Sequence, residues 1–330
     1  MPAFEGRRRR RHSTDSVTAG FVDAAVDGGV DAEIERIGAA VGGLVAHDGR
    51  HGADGIAPVA VRLWRRAQRR LDGGHVPGAR RNDYRAAVAE TAELAGWLLF
   101  DADDQRASRN ATVHARMLAR QAGDRSMERF ALTNLAMQDV EIGRPGEALH
   151  IADALLSQPR IPPRIALLAR IRRARALADL GCGPRAADDL RVARAALEDS
   201  LSSRDPAWTW WVDECEVGAH EGAVLLALGD AAEAAARLED AAYLAASRSD
   251  ARGSLYFQVS LVQSYADARA WRECEDTLTA VPATLETVVS GRNRRRLRAA
   301  MRGVLRDERS PRWLRHTVHD VAKATGNGPT

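Results

Sequence analysis

Small residues recur in phase along the middle of this chain, and that phase restricts what it can fold into. Gly96, Ala136, Ala174 and Gly222 are each followed twelve residues later by a second small residue, at Ser108, Ala148, Ala186 and Ala234. A turn lies between the members of each pair: Asp103-Asp104, Gly143-Arg144-Pro145, Gly181-Cys182-Gly183-Pro184 and Gly229-Asp230. A weaker fifth copy ends at Cys274, after the Arg269-Ala270-Trp271 turn. Two helices joined by a short turn pack closely where their side chains are small. Copies spaced about 38 to 48 residues apart therefore read as a helical repeat array. Such an array offers an extended surface for binding rather than a catalytic cleft.

Composition supports helix nearly throughout. Ala, Leu and Arg dominate, aromatic residues are only 5%, and Gly and Pro gather at the turns. No apolar run approaches the roughly 18 residues that span a bilayer, and no apolar signal segment follows the first arginines. Cys182, Cys215 and Cys274 stand far apart, which fits neither a disulfide framework nor a CxxC zinc site. A cytoplasmic protein is the expectation. Net charge is +3, unevenly spread. Arg7, Arg8, Arg9, Arg10 and Arg11 against Glu5 make the N-terminal arm +4, and the chain from Ser290 onward is +8. The body between them is then 3 − 4 − 8 = −9. Basic ends flank an acidic middle.

The organisation follows from these patterns. Residues 1–14 form an Arg-rich arm without apolar periodicity and read as disordered. Residues 15–81 hold an N-terminal helical segment outside the repeat. Asp31 caps a helix carrying Ile34, Ile37 and Val41, His47 to Gly55 reads as a Gly-rich loop, and a second helix runs from Pro58 to Leu71. Residues 82–289 hold the paired helices. Leu132, Leu135, Ala136 and Val140 line one face of a first helix, and Ala148, Ile151, Ala152 and Leu155 line the second. The fourth pair is longer, through Asp205 to Trp211. Residues 290–330 form basic capping helices, with Leu297, Met301, Val304 and Leu305 inward and Arg294, Arg298, Arg302 and Arg306 outward at i+4 steps.

The run Ala92-Glu93-Leu94-Ala95-Gly96-Trp97, the stretch Phe100 to Asp104 and the stretch Leu118 to Asp124 carry a family resemblance. So do Gly143 to Leu149 and Trp211-Val212-Asp213-Glu214-Cys215-Glu216. Together, over roughly residues 31–310, the chain resembles the C-terminal tetratricopeptide-like domain of actinobacterial XRE-family transcriptional regulators. The resemblance implies an all-α fold, a right-handed α-solenoid of tetratricopeptide-like helix pairs with a short N-terminal helical segment. In that family an N-terminal helix-turn-helix of about 60 residues reads DNA. Only some 30 residues precede the shared region here, so a stand-alone sensor or interaction domain is expected.

The concave face of such an array is lined by the first helix of each pair. That assigns a ligand or partner groove to Glu93, Trp97, Asn134, Gln138, Arg170, Trp210, Asp213, Glu216, His220 and Gln258. Aromatic floors and polar walls suit an extended peptide or a partner helix, because backbone and side-chain polar groups are satisfied together. Asp213, Glu216 and His220 at i, i+3, i+7 share a face and are the residues that could bind a divalent metal or act as an acid–base pair. No third and fourth ligand sits at a recognisable spacing, and a hydrogen-bonded network answering an arginine of the neighbouring pair is the plainer reading. His47, Asp48, His51 and Asp54 are ligand types in a flexible loop. Neither a GxxxxGK[ST] nor a GxSxG motif occurs.

The expectation is a non-enzymatic regulatory or interaction protein without cofactor or metal. It would bind a peptide, a small-molecule effector or a protein partner in its groove, in transcriptional regulation. The alternative is a regulator that contacts DNA through Arg7 to Arg11 and the C-terminal stripe. Complementary charge on body and tail also allows a homodimer.

Overall fold

The computed structural model describes residues 29–199, 202–247 and 250–326. The expected arm with Arg7 to Arg11 lies outside the described residues. All regular structure in them is helical. Helices α1 (Val30–His51) and α2 (Ala57–Asp72) come first. Five pairs follow: α3 (Arg81–Asp101) with α4 (Gln105–Ala122), α5 (Arg125–Glu141) with α6 (Pro145–Leu156), and α7 (Pro163–Asp179) with α8 (Gly183–Asp199). Then come α9 (Glu214–Ala227) with α10 (Ala231–Ser247), and α11 (Ala251–Ala268) with α12 (Trp271–Thr287). Helices α13 (Gly291–Arg306) and α14 (Arg312–Ala324) end the described chain.

The five intra-pair turns are built alike. Asp103, Gly143, Gly181, Gly229 and Arg269 each have positive φ, from 58° to 85°. In every copy the next backbone N–H reaches back five residues to a helix carbonyl: Asp104 to Leu99, Arg144 to Asp139, Cys182 to Leu177, Asp230 to Leu225 and Ala270 to Tyr265. This left-handed stop satisfies carbonyls that the helix end leaves open. The small pairs meet as their spacing requires. Ala136, Ala148, Ala174, Ala186 and Ala234 are fully buried. A methyl group on Gly222 would stand 2.5 Å from Leu238 Cγ, so any larger residue at that crossing forces Leu238 to move.

Alternation between pairs creates two layers. The first helices α3, α5, α7, α9, α11 and α13 each pack on the next in that series. No comparable packing links α4, α6, α8 and α10, which fan apart on the outside. The series also returns to its start, because α13 packs on α3 and α11 packs on α1. Six inner helices therefore form a closed ring.

Polar contacts seal the seam. Val289 N–H donates to His51 O at 2.8 Å, and Asp54 N–H donates to Val289 O at 3.2 Å. Gly291 N–H donates to Asp54 Oδ1 at 2.9 Å. Ser290 caps α13 by accepting from Asn293 N–H at 3.2 Å and donates to Asp101 O at 3.4 Å. Arg292 pairs with Asp101 at 3.3 Å, and the Asp101 side chain is 0% exposed. Arg252 of α11 pairs with Asp48 of α1 at 3.3 Å. A carboxylate beside the N-terminus of α13 also meets the positive end of the helix dipole.

Two expectations are corrected. Asp31 does not cap α1: it lies inside the first turn, which Gly29 precedes, and its carboxylate accepts from Arg80 Nε at 2.6 Å. His47, Asp48, Gly49, Arg50 and His51 belong to α1 and not to a loop. The buried stripe of Ile37, Val41 and Leu44 continues to Asp48, which Trp97 and Arg252 hold, so tertiary contact outweighs the glycine at position 49. The C-terminal stripe divides. Leu297, Met301 and Val304 are buried and Arg298 and Arg306 exposed as the period predicts, whereas Arg294 is half-buried.

Two substitutions test this architecture. Gly222→Ala overpacks the α9–α10 crossing and lowers unfolding free energy by about 1–3 kcal/mol in urea titration. Asp101→Asn leaves Arg292 charged and unpaired inside the seam, which costs about 3 kcal/mol. A seam that tolerates Asp101→Asn with an unchanged midpoint does not hold the ring shut.

Candidate functional site

The inner surface of the ring carries polar side chains from every inner helix. On α3, Glu93 is 2% exposed and its Oε1 accepts from Asn134 Nδ2 of α5 at 2.6 Å. One turn on, Gln138 donates to the carbonyl of Gln105 at 2.7 Å. On α7, Arg172 is 2% exposed, reaches His220 of α9, and pairs with Glu216 Oε1 at 3.2 Å. Glu216 and His220, four residues apart, meet at 3.0 Å. From α13, Arg295 pairs with Asp103 at 2.9 Å and with Glu141 of α5 at 2.6 Å. The Arg296 guanidinium lies 4.6 Å from the Tyr256 ring centre on α11. Glu216 keeps 24% side-chain exposure among these groups.

Enclosure shifts the protonation of this surface. Burial pushes Glu93 up to about 7, against the opposing hydrogen bond from Asn134. Its Oε2 is buried without a hydrogen-bond partner among the described residues, as suits a carboxyl that carries its proton near neutrality. Burial and the Arg172 charge push His220 down to about 4 despite Glu216. Burial would raise Glu216, but His220 and Arg172 pull it down to about 2. Arg172, Glu216 and neutral His220 thus form one network across α7 and α9. The arginine answering Glu216 and His220 is Arg172.

The other groove residues fall elsewhere. Trp97 is half-buried at the seam, where its Nε1–H donates to Asp48 Oδ2 at 2.9 Å and Arg252 stacks 5.0 Å from its ring centre. Asp213 caps α9, accepting from Cys215 N–H at 2.9 Å and Glu216 N–H at 3.2 Å. Its carboxylate serves the helix end and is not one turn of a metal-binding face. Arg170 pairs with Asp189 of outer helix α8 at 3.2 Å, beside a cleft of about 250 Å³ lined by Arg173, Leu177, Pro184, Arg185, Asp188 and Asp189. Gln258 is half-buried, about 200° around α11 from Tyr256 at roughly 100° per residue. The side chain of Trp210 lies outside the described residues. No group of three or more His, Cys, Asp or Glu able to hold a metal occurs among the described residues.

Residues that the periodicity did not single out complete the site: Arg172, Arg175, Tyr256, Arg292, Arg295 and Arg296. Arg292, Arg295 and Arg296 sit in a run of basic residues that reads as a solvated face, and only ring closure turns them inward. Arg172 and Arg175 are two and five residues from Arg170, a register that an amphipathic pattern with arginines on several faces does not resolve. No protein-family model matches the chain, and no curated protein matches it.

The pH dependence of stability follows from two of these groups. Glu93 has a folded pKa near 7 against 4.5 unfolded, so its contribution is full below about pH 4.5 and is lost as pH rises through 7. His220 acts oppositely, contributing above 6.5 and losing that contribution as pH falls through about 4. Glu93→Gln keeps the Asn134 contact without a titrating group. Between pH 5 and 8 the variant is expected to lose less stability than the wild type, by at least about 1 kcal/mol in denaturant titrations. Parallel curves would place the Glu93 carboxyl in ordinary solvent.

Proposed function

We propose that the chain is a non-enzymatic regulatory or interaction protein, a right-handed solenoid of tetratricopeptide-like helix pairs that binds its ligand on the inner face, in transcriptional regulation. One observation carries this reading. Polar and charged groups from α3, α5, α7, α9, α11 and α13 converge on the inside of the ring, where an all-helical protein built only for stability would place apolar side chains. Enclosure favours a small effector or an extended peptide over a folded partner, since a folded protein does not enter a ring whose first and last inner helices touch. Binding then acts by biasing the seam between α3 and α13 toward the open or closed state. Glu216 and His220, the pair with the best claim to acid–base chemistry, are tied to Arg172, which supports recognition rather than catalysis. The opposite charges of body and tail meet within one chain at Asp101–Arg292 and Asp103–Arg295, which weakens the charge argument for a homodimer. No helix among the described residues is long and apolar enough to cross a membrane.

A second reading rests on α13. Arg298 and Arg306 are exposed, and with half-buried Arg302 they have no ion pair among the described residues. In this reading the stripe, with Arg7 to Arg11, lies on the phosphates of DNA.

Native mass spectrometry of the untagged protein from its own host separates the two. A retained peptide or small molecule, released when Arg172 is replaced by Gln, is the expected result. Clean apoprotein, together with a salt-dependent shift of duplex DNA lost in Arg298→Gln/Arg302→Gln/Arg306→Gln, would replace the inner-face reading with direct DNA contact.

A further inference from the structure

Two guanidinium groups inside the ring cover one phenol, and two more lie at His220 on the other side. Arg292 and Arg296 lie 5.6 Å and 4.6 Å from the centre of the Tyr256 ring. On the facing helix α7, Arg172 reaches His220 Nε2, and Arg175 Nη1 lies 3.5 Å from His220 Nδ1. Charges from both halves of this cluster act on the Tyr256 hydroxyl. Burial alone would raise its pKa, yet the charges of Arg296, Arg175 and Arg292 bring it below the usual tyrosine value.

The cluster is only partly satisfied. Glu216 answers Arg172 at 3.2 Å and Asp101 answers Arg292 at 3.3 Å. Arg175 and Arg296 have no carboxylate within 4 Å among the described residues, although Asp179 faces the charge of Arg175 and Glu141 that of Arg296 from farther off, and Arg296 donates to the Ser260 hydroxyl at 3.2 Å. The Nε–H groups of Arg172, Arg175 and Arg292 are buried without an acceptor, and Arg172 and Arg292 are more than nine-tenths buried. Tyr256 Oη makes no hydrogen bond among the described residues. Glu141, the acid nearest this group on α5, is already held by Arg295 at 2.6 Å. Buried donors without acceptors are costly arrangements. A ligand rich in acceptor oxygens relieves that cost.

We propose that the ring binds a compact oxyanion, the carboxylate or phosphate group of a small effector or peptide end, between Arg175, Arg296 and the Tyr256 hydroxyl. Arg172 and Arg292 stand behind this point and add to its positive field. Planar guanidinium forks match the paired oxygens of either group. The inference rests on the inner-face reading above and supplies the chemistry of the ligand. It also gives a reason for closure, because α7 and α13 contribute opposite halves of the site and no open array would bring them together.

Isothermal titration of the full chain with sodium phosphate and, separately, sodium succinate at constant ionic strength tests this directly. Saturable binding of one ion per chain is expected, and whichever salt binds more tightly identifies phosphate or carboxylate as the group recognised. Arg175→Gln and Arg296→Gln should each weaken it by about tenfold or more, the loss of a charge-assisted contact. Tyr256→Phe keeps the ring that Arg296 covers and should weaken it by about threefold to tenfold. Arg298→Gln, on the outer face of α13, should leave it unchanged. Absence of saturable heat with both salts overturns the inference, as does equal weakening by Arg298→Gln. If both salts fail while native mass spectrometry finds an uncharged ligand retained, the oxyanion is wrong and the inner-face reading stands.

Discussion

The ion pair between Asp101 and Arg292 joins the end of α3 to the start of α13, and the interior of the molecule depends on that join. The two residues are 191 positions apart, so the loop their contact closes is among the longest in the chain. Closure at that distance is entropically costly, though the cost grows only slowly with loop length. Backbone bonds from Val289, the cap at Ser290 and the Asp48–Arg252 pair share that cost along the seam. A buried pair of this kind adds little net stability relative to an apolar substitute, but breaking it leaves a charge stranded. Its consequence here is geometric. It makes the inner surface an enclosure instead of an open groove.

Enclosure in turn decides the chemistry. Glu93, His220 and Glu216 titrate away from their ordinary values because side chains surround them, and the arginines of α7 and α13 act on one another's surroundings for the same reason. On an exposed concave face, solvent would screen most of these interactions. The ring thus converts an ordinary set of polar helix residues into a coupled interior in which charge, hydrogen bonding and protonation constrain each other.

The helix-pair pattern was legible because it depends on local rules. Small residues at positions such as Gly222 and Ala234, twelve apart across a turn, report a close crossing whatever else the chain does. The residues with positive φ at Gly143, Gly181 and Gly229 stand where a left-handed stop needs glycine. Even the weak fifth copy at Arg269 follows the same backbone bonding. On the inner face, Glu93, Asn134, Gln138, Glu216 and His220 are found on the ring side of their helices. Arg170 and Gln258 miss by two residues, about 200° of helix, because arginines on several faces of α7 and apolar residues on several faces of α11 leave no single stripe from which to set the angle. Asp213 is drawn into capping because its carboxylate sits where the first N–H groups of α9 need an acceptor.

The helices, their turns and the closest crossings are each set by residues within about fifty positions of one another, and so can be read along the chain. Contacts between distant segments alone bring the first and last inner helices together, hold Asp48 in a helix instead of a loop, and turn Arg292, Arg295 and Arg296 inward. An arginine at a helix surface looks the same in sequence whether it faces water or a counter-charge. The difference is made by which acidic side chain the rest of the fold brings within about 4 Å, where Coulomb attraction offsets the loss of hydration that burial imposes.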